Sequence, residues 1–288
     1  MTQKRATPTI WRRRVGAQLR RYREPLMKSG DAARLMGWDT TRLSRVERGL
    51  YRISAAEVRD LCGHYGVDDT EAVEEIAKVA EQPPGAGWWA PYSGRINGAY
   101  LDFIELEASA DTIRIAEPVV IPGLLQSPGY VREMITRAPL AVSEERAEML
   151  VNIRLARQSV LSRTERPVRV HALVPETALN ARFAAGQSIM RDQIRKLLDA
   201  SSSPNVTLQI VPLAAHPTFL ANGAMTLMGF RHPWTPVVSA DNPMGGTHTE
   251  EPDQVAYLEK VFTGVHSIAL PVDESRELLN RYLEGTNA

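Results

Sequence analysis

The stretch from Asp31 to Arg52 constrains the fold of this 288-residue chain more than any other part of it. Two short helical patterns flank Gly37, which ends a helix readily because glycine adopts a left-handed backbone without steric penalty. Asp39 or Thr40 then caps the second helix, since either side chain accepts a hydrogen bond from a free backbone N–H. Gly49 is the next stop signal. The pattern predicts two short helices joined by a tight turn.

A helical wheel of the second helix separates an apolar face from a basic one. Leu43, Val46 and Leu50 fall together and are predicted to face inward, and Glu47 is predicted to point toward the flank. Because Glu47 is predicted to lie on the flank, we expect no acidic side chain on the face opposite the apolar one. That face carries one hydroxyl and two or three guanidinium groups, from Thr41, Arg45, Arg48 and, if the helix continues far enough, Arg52.

Such a face suits the major groove of DNA, because arginine donates two hydrogen bonds to guanine and threonine touches the thymine methyl group. The alternative is a solvated basic face. DNA binding is favoured because the small Ala33, the turn residue Gly37 and the apolar core positions fit one helix-turn-helix together. The predicted base contacts are Thr40, Thr41 and Arg45. The predicted phosphate contacts on the same motif, which position the protein without specifying sequence, are Arg42, Arg48 and Arg52.

Residues from about Val15 to Ile76 resemble the Cro/C1-type (XRE) helix-turn-helix domain. The run Leu43-Ser44-Arg45-Val46-Glu47-Arg48-Gly49 is similar to the end of that family's recognition helix. The resemblance implies a double-stranded DNA partner. The segment Arg23 to Gly30 is about one residue shorter than the family pattern and lacks its phosphate-binding glutamine. Lys28 or Ser29 is predicted to substitute for that glutamine.

The helix-turn-helix lies in a predicted N-terminal domain, residues 11–81, that is mainly α and has five short helices. Ser54 and Glu57 form a capping-box pattern at the start of the fourth helix. Residues 1–10 are polar and are predicted to be a mobile arm. Residues 82–87 hold two prolines and two glycines, which cannot continue a helix, and are predicted to be a linker.

Residues 88–288 are predicted to form an α+β domain with a small, largely antiparallel sheet. Alternating β-branched residues predict strands at 168–174 and 206–211, with further candidates at 224–230 and 236–240. Residues 112–120 also alternate and form either a strand or an extended passage. Helical spacing predicts helices within 98–110, 128–136, 144–162, 187–200, 253–266 and 273–283.

This second domain is similar to the C-terminal domain of uncharacterised function that is attached to helix-turn-helix regulators in actinobacteria. The resemblance covers residues 87 to 284 and is carried by Gly87-Trp88-Trp89, Glu117-Pro118, Ile121 to Ser127, Arg154 to Gln158 and Pro204 to Thr207. It implies that the domain senses an effector or binds a partner protein. Some such regulators are antitoxin-like and are encoded beside a small partner protein.

The zero net charge hides a strong asymmetry. Residues 1–59 hold 15 Lys and Arg against 5 Asp and Glu, whereas residues 60–288 hold 19 against 29. A basic head on an acidic body orients the molecule toward a polyanion through one end. It also predicts that binding to this polyanion weakens as salt increases.

The sequence offers little for catalysis. No Gly-x-Ser-x-Gly, phosphate-binding glycine loop or His-Glu-x-x-His motif occurs, so no enzyme activity and no cofactor are predicted. His216, His232 and His248 are predicted to lie in surface loops, although the segment around His248 has a sheet-edge pocket as its alternative. Glu105 and Glu107 are predicted to be a solvated flank.

The compartment follows from cysteine usage and hydropathy. The single Cys62 excludes an internal disulfide, argues against a zinc site and is predicted to be buried. No apolar run near 18 residues and no signal-peptide pattern occur, so no membrane association is expected. These features favour the cytoplasm.

Two functional hypotheses follow. The first is a sequence-specific transcriptional regulator that binds DNA as a homodimer, with half-sites about 34 Å apart. The alternative is an antitoxin-like interaction protein whose main role is binding a small protein encoded by a neighbouring gene, with DNA binding for autoregulation. The two hypotheses differ in which partner controls the other.

Overall fold

The structure is a computed structural model that describes residues 8–83, 86–137, 143–183, 186–215, 223–241 and 246–285. The chain forms two compact units. The first comprises the residues up to Ile96 together with Arg231–Trp234, and the second comprises Asn97–Phe230 with the residues from Thr235 onward. Residues 1–7 of the predicted arm and residues 84 and 85 of the predicted linker lie outside the described residues.

Within its described residues the first unit has the five predicted α-helices. Thr9, Asp39, Ser54 and Asp69 cap four of them by accepting a backbone N–H at the helix start. The predicted capping box of Ser54 and Glu57 is present. The helices are α1 Ile10–Arg23, α2 Ser29–Leu35, α3 Thr40–Glu47, α4 Ala55–His64 and α5 Thr70–Glu81.

Helices α1 and α3 lie unusually close together, and Gly16 makes this possible. A Cβ atom at Gly16 would collide with the backbone carbonyl oxygens of Val46 and Glu47. Leu43 and Val46 are buried as predicted, but Leu50 is 38% exposed and the prediction that it faces inward is wrong. The reason is that α3 ends at Glu47 and the turn takes Leu50 off the helical wheel.

The lone cysteine of the first unit is buried in α4, as predicted. Burial raises the pKa of the Cys62 thiol to about 11, so the thiol stays protonated at neutral pH. Across the described residues of both units, no helix is long and apolar enough to cross a membrane.

The second unit combines helices with one sheet. Its helices are α6 Gly98–Ser109, α7 Pro128–Thr136, α8 Glu144–Arg157, α9 Ser188–Ser201, α10 Pro252–Ser267 and α11 Val272–Gly285. Its strands are β1 Thr112–Ala116, β2 Arg169–Pro175, β3 Val206–Val211, β4 Met225–Gly229, β5 Val237–Ala240 and β6 Thr247–Thr249. Short 3₁₀ turns occur at Gly123–Leu125, Gln158–Ser162 and Glu176–Asn180.

The sheet has six strands in the described part of the chain, in the order β3-β2-β1-β4-β5-β6. Strands β1, β2 and β3 pair in parallel, whereas β1, β4, β5 and β6 pair in antiparallel fashion. The prediction of a small, largely antiparallel sheet is therefore wrong for one half of it. Helices α8 and α9 supply the long crossovers that parallel neighbours need.

The predicted solvated flank on α6 is also wrong. Glu105 is 5% exposed and Glu107 is 1% exposed. Glu107 accepts two hydrogen bonds of 2.8 Å each from the guanidinium of Arg157 in α8. Burial opposes the charge on Arg157, but Glu107 and Tyr100 outweigh it and raise the pKa of this arginine.

The three histidines have different outcomes. His216 lies outside the described residues, and His232 is exposed as predicted. His248 is not in a solvated loop, because it lies partly buried in β6, where its Nε2 is 2.9 Å from the carbonyl oxygen of Ala99. The prediction of a surface loop is wrong there, and the sheet-edge alternative is correct.

Candidate DNA-binding surface

The predicted recognition helix is α3, and its sequence explains both of its ends. The Asp39 carboxylate accepts a 2.7 Å hydrogen bond from the backbone N–H of Arg42 and so caps the start. Gly49 has a φ of +70° just after the last turn, a conformation that a side chain would strain. Leu43 and Val46 bury the inner face. Helix α3 therefore presents one fixed outer face.

A buried ion pair fixes α3 to α1. The Arg23 guanidinium donates to the Glu47 carboxylate at 2.6 and 3.0 Å, and these side chains are only 8% and 7% exposed. The hydrogen bonds that Arg23 donates to Glu47 raise the pKa of Arg23. The prediction that Glu47 points toward the flank is wrong, because it points into the core. The negative charge of Glu47 pairs with Arg23 in the core, so it does not neutralise the arginines of the outer face.

The predicted base contacts lie at the start and middle of that face. Thr40 and Thr41 are exposed, and Arg45 is partly buried. Arg45 donates a hydrogen bond to the Tyr51 hydroxyl, and its guanidinium carbon lies 5.0 Å from the centroid of the Tyr51 ring. Sequence reasoning missed Tyr51, although this tyrosine follows the helix stop signal Gly49 by only two residues.

The predicted phosphate contacts flank this centre. Arg48 is exposed and donates a 3.2 Å hydrogen bond only to the Ser44 carbonyl among the described residues, and Arg52 is exposed after the turn. Lys28 occupies the N-cap position of α2 without a capping hydrogen bond from its side chain, and Ser29 is the first residue of that helix. These side chains lie on the same motif as α3.

Arg42 differs from the other predicted phosphate contacts because the fold already supplies its partners. It donates a hydrogen bond to the Glu57 carboxylate in α4, and its guanidinium carbon lies 4.1 Å from the centroid of the Trp38 ring. Sequence reasoning missed both partners, which belong to the preceding turn and a later helix. Arg42 therefore meets an anion only in competition with Glu57.

The outer face of α3 carries groups that suit binding to a polyanion. The outer face of α3 offers two small hydroxyl groups and several guanidinium donors, which match base edges and phosphate oxygens. Among the residues that the structure describes, no group of three or more His, Cys, Asp or Glu side chains could hold a metal ion.

Comparisons with known families agree with the division of the chain. Residues 14–74 match a family model described as a helix-turn-helix domain, and this match covers all of α2 and α3. Residues 100–281 match the model of a domain of unknown function, DUF5753. No curated protein and no solved structure matches the chain.

Proposed function

Because the chain belongs to the DUF5753 family and also carries a helix-turn-helix domain, we propose that it is a sequence-specific DNA-binding transcriptional regulator. The observation that carries this proposal is the outer face of α3. Thr40, Thr41 and Arg48 are exposed there, on a helix that the buried Arg23–Glu47 pair holds against α1. A fixed helix with free donors is what readout in a major groove requires.

The proposed complex is of the Cro/C1 type and forms in the cytoplasm. Two copies of the chain bind as a homodimer, and each places α3 in a major groove, with half-sites about 34 Å apart. Thr40, Thr41 and Arg45 contact base edges. The phosphate contacts that set the register are Lys28, Ser29, Arg42, Arg48 and Arg52.

The deciding experiment is binding of the purified full chain to DNA from upstream of its own gene, titrated against salt. Random DNA of equal length is the control. We expect about a thousandfold preference or more for the upstream fragment, the range that separates specific from non-specific binding. Equal and steeply salt-dependent binding to both fragments would contradict the proposal, because it would make the basic head an electrostatic tether only.

The second unit is proposed to receive the signal, either as a small effector or as a partner protein. The antitoxin-like alternative gains support from the charge asymmetry, because residues 60–288 carry 29 acidic against 19 basic side chains. An acidic body suits a basic protein partner. Co-purification of the full chain with the product of a neighbouring gene, lost in high salt, is the expected result under this alternative.

A further inference from the structure

One face of the sheet carries a row of polar side chains. Thr226 is paired with Ser239, and Ser239 with His248, so the polar row crosses β4, β5 and β6, with the apolar Ile115 of β1 next to Thr226. Cross-strand neighbours point to the same side of a sheet. The adjacent residues in β1, β4 and β5 point the other way and form an apolar core with α10. The polar row therefore has to face something other than that core.

A cavity of about 370 Å³ lies over this row. Tyr100, Phe103 and Glu107 line it from α6, where their spacing puts them on one face of the helix. Arg154 and Arg157 line it from α8. A volume of this size is within the range of sites for small organic molecules.

The walls of this cavity are held in place by side-chain amides. Gln126 donates a 2.7 Å hydrogen bond to the carbonyl of Ile121, and Gln158 donates a 3.1 Å hydrogen bond to the carbonyl of Gly123. These bonds fix the segment between β1 and α7, which forms part of the wall. A site with fixed walls loses little conformational entropy when a ligand binds.

Two residues that line the cavity each have a buried polar atom without a hydrogen-bond partner among the described residues. The Ser239 hydroxyl oxygen makes no hydrogen bond, although the residue is only 2% exposed. The Nδ1 atom of His248 is also buried without a partner, while its Nε2 is engaged by Ala99. Buried polar groups in folded proteins are nearly always hydrogen-bonded. Both residues line the cavity, so a polar ligand group that reached these atoms would supply the missing hydrogen bonds.

The charges around the cavity favour a cation. Glu107 neutralises Arg157, and Arg154 supplies one positive charge, with its Nη1 3.5 Å from the amide oxygen of Gln126. Two further carboxylates, those of Glu117 and Asp241, line the cavity. An anion entering here would meet both carboxylates against one uncompensated guanidinium.

The Glu117 carboxylate lacks hydrogen-bond partners among the described residues. No hydrogen bond reaches it from the described residues, and burial together with the nearby Asp241 raises its pKa to about 7 against the attraction of Arg154 and Arg157. A ligand that donates hydrogen bonds and carries positive charge would stabilise the ionised carboxylate. Val120 and Met134 are among the apolar residues that line the same cavity.

We propose that this cavity binds a small primary amine with an apolar body. The protonated nitrogen lies between Glu117 and Asp241 and donates to the Ser239 hydroxyl, and the apolar body contacts Val120 and Met134. The site is assigned from its own geometry, and only the role of the amine as a regulatory signal rests on the proposed function.

The test is isothermal titration calorimetry of the full chain at pH 8, without DNA, with 2-phenylethylamine and cyclohexylmethylamine as probes. The matched ligands are 2-phenylethanol, which is neutral, and 3-phenylpropionate, which is an anion. We expect both amines to bind at least about tenfold more tightly than either matched ligand, because only they pair with the carboxylates. Equal binding of all four probes, or no binding of the amines, would overturn the proposal.

Variants separate the site from a non-specific effect. Asp241→Asn changes an exposed residue, and Glu117→Gln changes the poorly satisfied carboxylate; each is expected to weaken amine binding about tenfold or more. Glu165→Gln, in an exposed loop of the same unit, is expected to leave the binding unchanged. Unchanged binding in Asp241→Asn would contradict the assignment even if Glu117→Gln failed to fold.

The experiment also distinguishes two kinds of failure. Amine binding without specific DNA binding would support the proposed amine site and contradict the proposed regulator function. Specific DNA binding without amine binding would support the proposed regulator function and contradict the proposed amine site.

Discussion

The surface of α3 and the cavity of the second unit use arginine in opposite ways. Among the described residues, the guanidinium groups of Arg45 in α3 and of Arg48 at its C-cap donate hydrogen bonds to a hydroxyl and a carbonyl and to no carboxylate, so their charge remains available to an external polyanion. In the cavity the charge of Arg157 is neutralised by its ion pair with Glu107, and the carboxylates of Glu117 and Asp241 also line the cavity. The electrostatic character of each site is therefore decided by where the fold supplies acidic partners and not by how many arginines it holds.

The two regions nevertheless share one structural device, a buried bidentate pair of Arg and Glu that joins two helices. Arg23 and Glu47 join α1 to α3, and Glu107 and Arg157 join α6 to α8. In the first unit the pair is buried and holds α3 against α1. In the second unit the pair is also part of the cavity wall.

The largest expected effect comes from breaking these pairs one side at a time. Glu47→Ala and Glu107→Ala each leave a buried guanidinium without its partner, so each is expected to lower the free energy of unfolding by about 3–5 kcal/mol. Urea denaturation of the full chain measures it.

The matched controls for that prediction replace both partners by apolar residues. Arg23→Met with Glu47→Leu, and Arg157→Met with Glu107→Leu, are expected to be far less destabilising, because no charge is left buried. If a double variant were as unstable as its single variant, packing and not charge would be the cause.

Protonation of Glu117 gives the next effect. Its pKa is about 7 in the folded chain against an ordinary 4.5, so between these values the folded state binds more protons than the unfolded state. The associated stability is present below about pH 4.5 and is lost as the pH rises through 7, by on the order of 2–3 kcal/mol. Urea midpoints at pH 5 and pH 8 should differ more for the native chain than for Glu117→Gln.

Amine binding should show the reverse trend, because the ionised carboxylate is the form that attracts the ligand. We expect the affinity for 2-phenylethylamine to rise between pH 6 and pH 8 in the native chain and to stay flat in Glu117→Gln. An affinity that does not change with pH in either the native chain or Glu117→Gln would show that Glu117 does not contact the amine. The other charged or titratable residues that line the cavity with Glu117 are Asp241, Arg154, Arg157, Glu107, His248 and Tyr100, and Tyr130 interacts electrostatically with Glu117.

The same contrast explains what could be predicted from the sequence. The first unit depends on signals within a few residues of one another, such as the Asp39 cap and the glycine stops, and its five helices are confirmed. One of its errors, Leu50, comes from the local end of α3, and the other comes from a contact between distant parts of the chain. Glu47 finds its partner 24 residues earlier in the chain, and a helical wheel carries no information about such a partner.

The second unit depends mainly on distant pairing. Glu107 and Arg157 are 50 residues apart, and the cavity forms only when β1, β4, β5 and β6 lie side by side. Alternation identifies a strand but does not give its neighbour or direction, so the parallel half of the sheet was not predicted. The short β6 has too few residues to show a period.

Arg45 tests the centre of the DNA-binding surface. Arg45→Ala is expected to weaken binding to the preferred DNA by about 1–3 kcal/mol and to relax the preference at one base position. Arg59→Ala is the matched control, because Arg59 is exposed on α4 and paired with Glu74 of α5. Binding to a set of single-base variants gives the result, and a uniform loss on every sequence would make Arg45 a phosphate contact.

The smallest expected effect distinguishes two phosphate candidates by their partners. Arg48→Ala removes a guanidinium that no acidic side chain holds among the described residues, so the slope of log affinity against log salt should fall by about 1 on specific and random DNA alike. Arg42→Ala should change this slope less, because Arg42 already pairs with Glu57 and its counterions are partly displaced before DNA arrives. Equal changes in slope for the two variants would mean that Arg42 releases Glu57 when it meets a phosphate, and that the partner supplied by the fold does not decide the availability of an arginine on this surface.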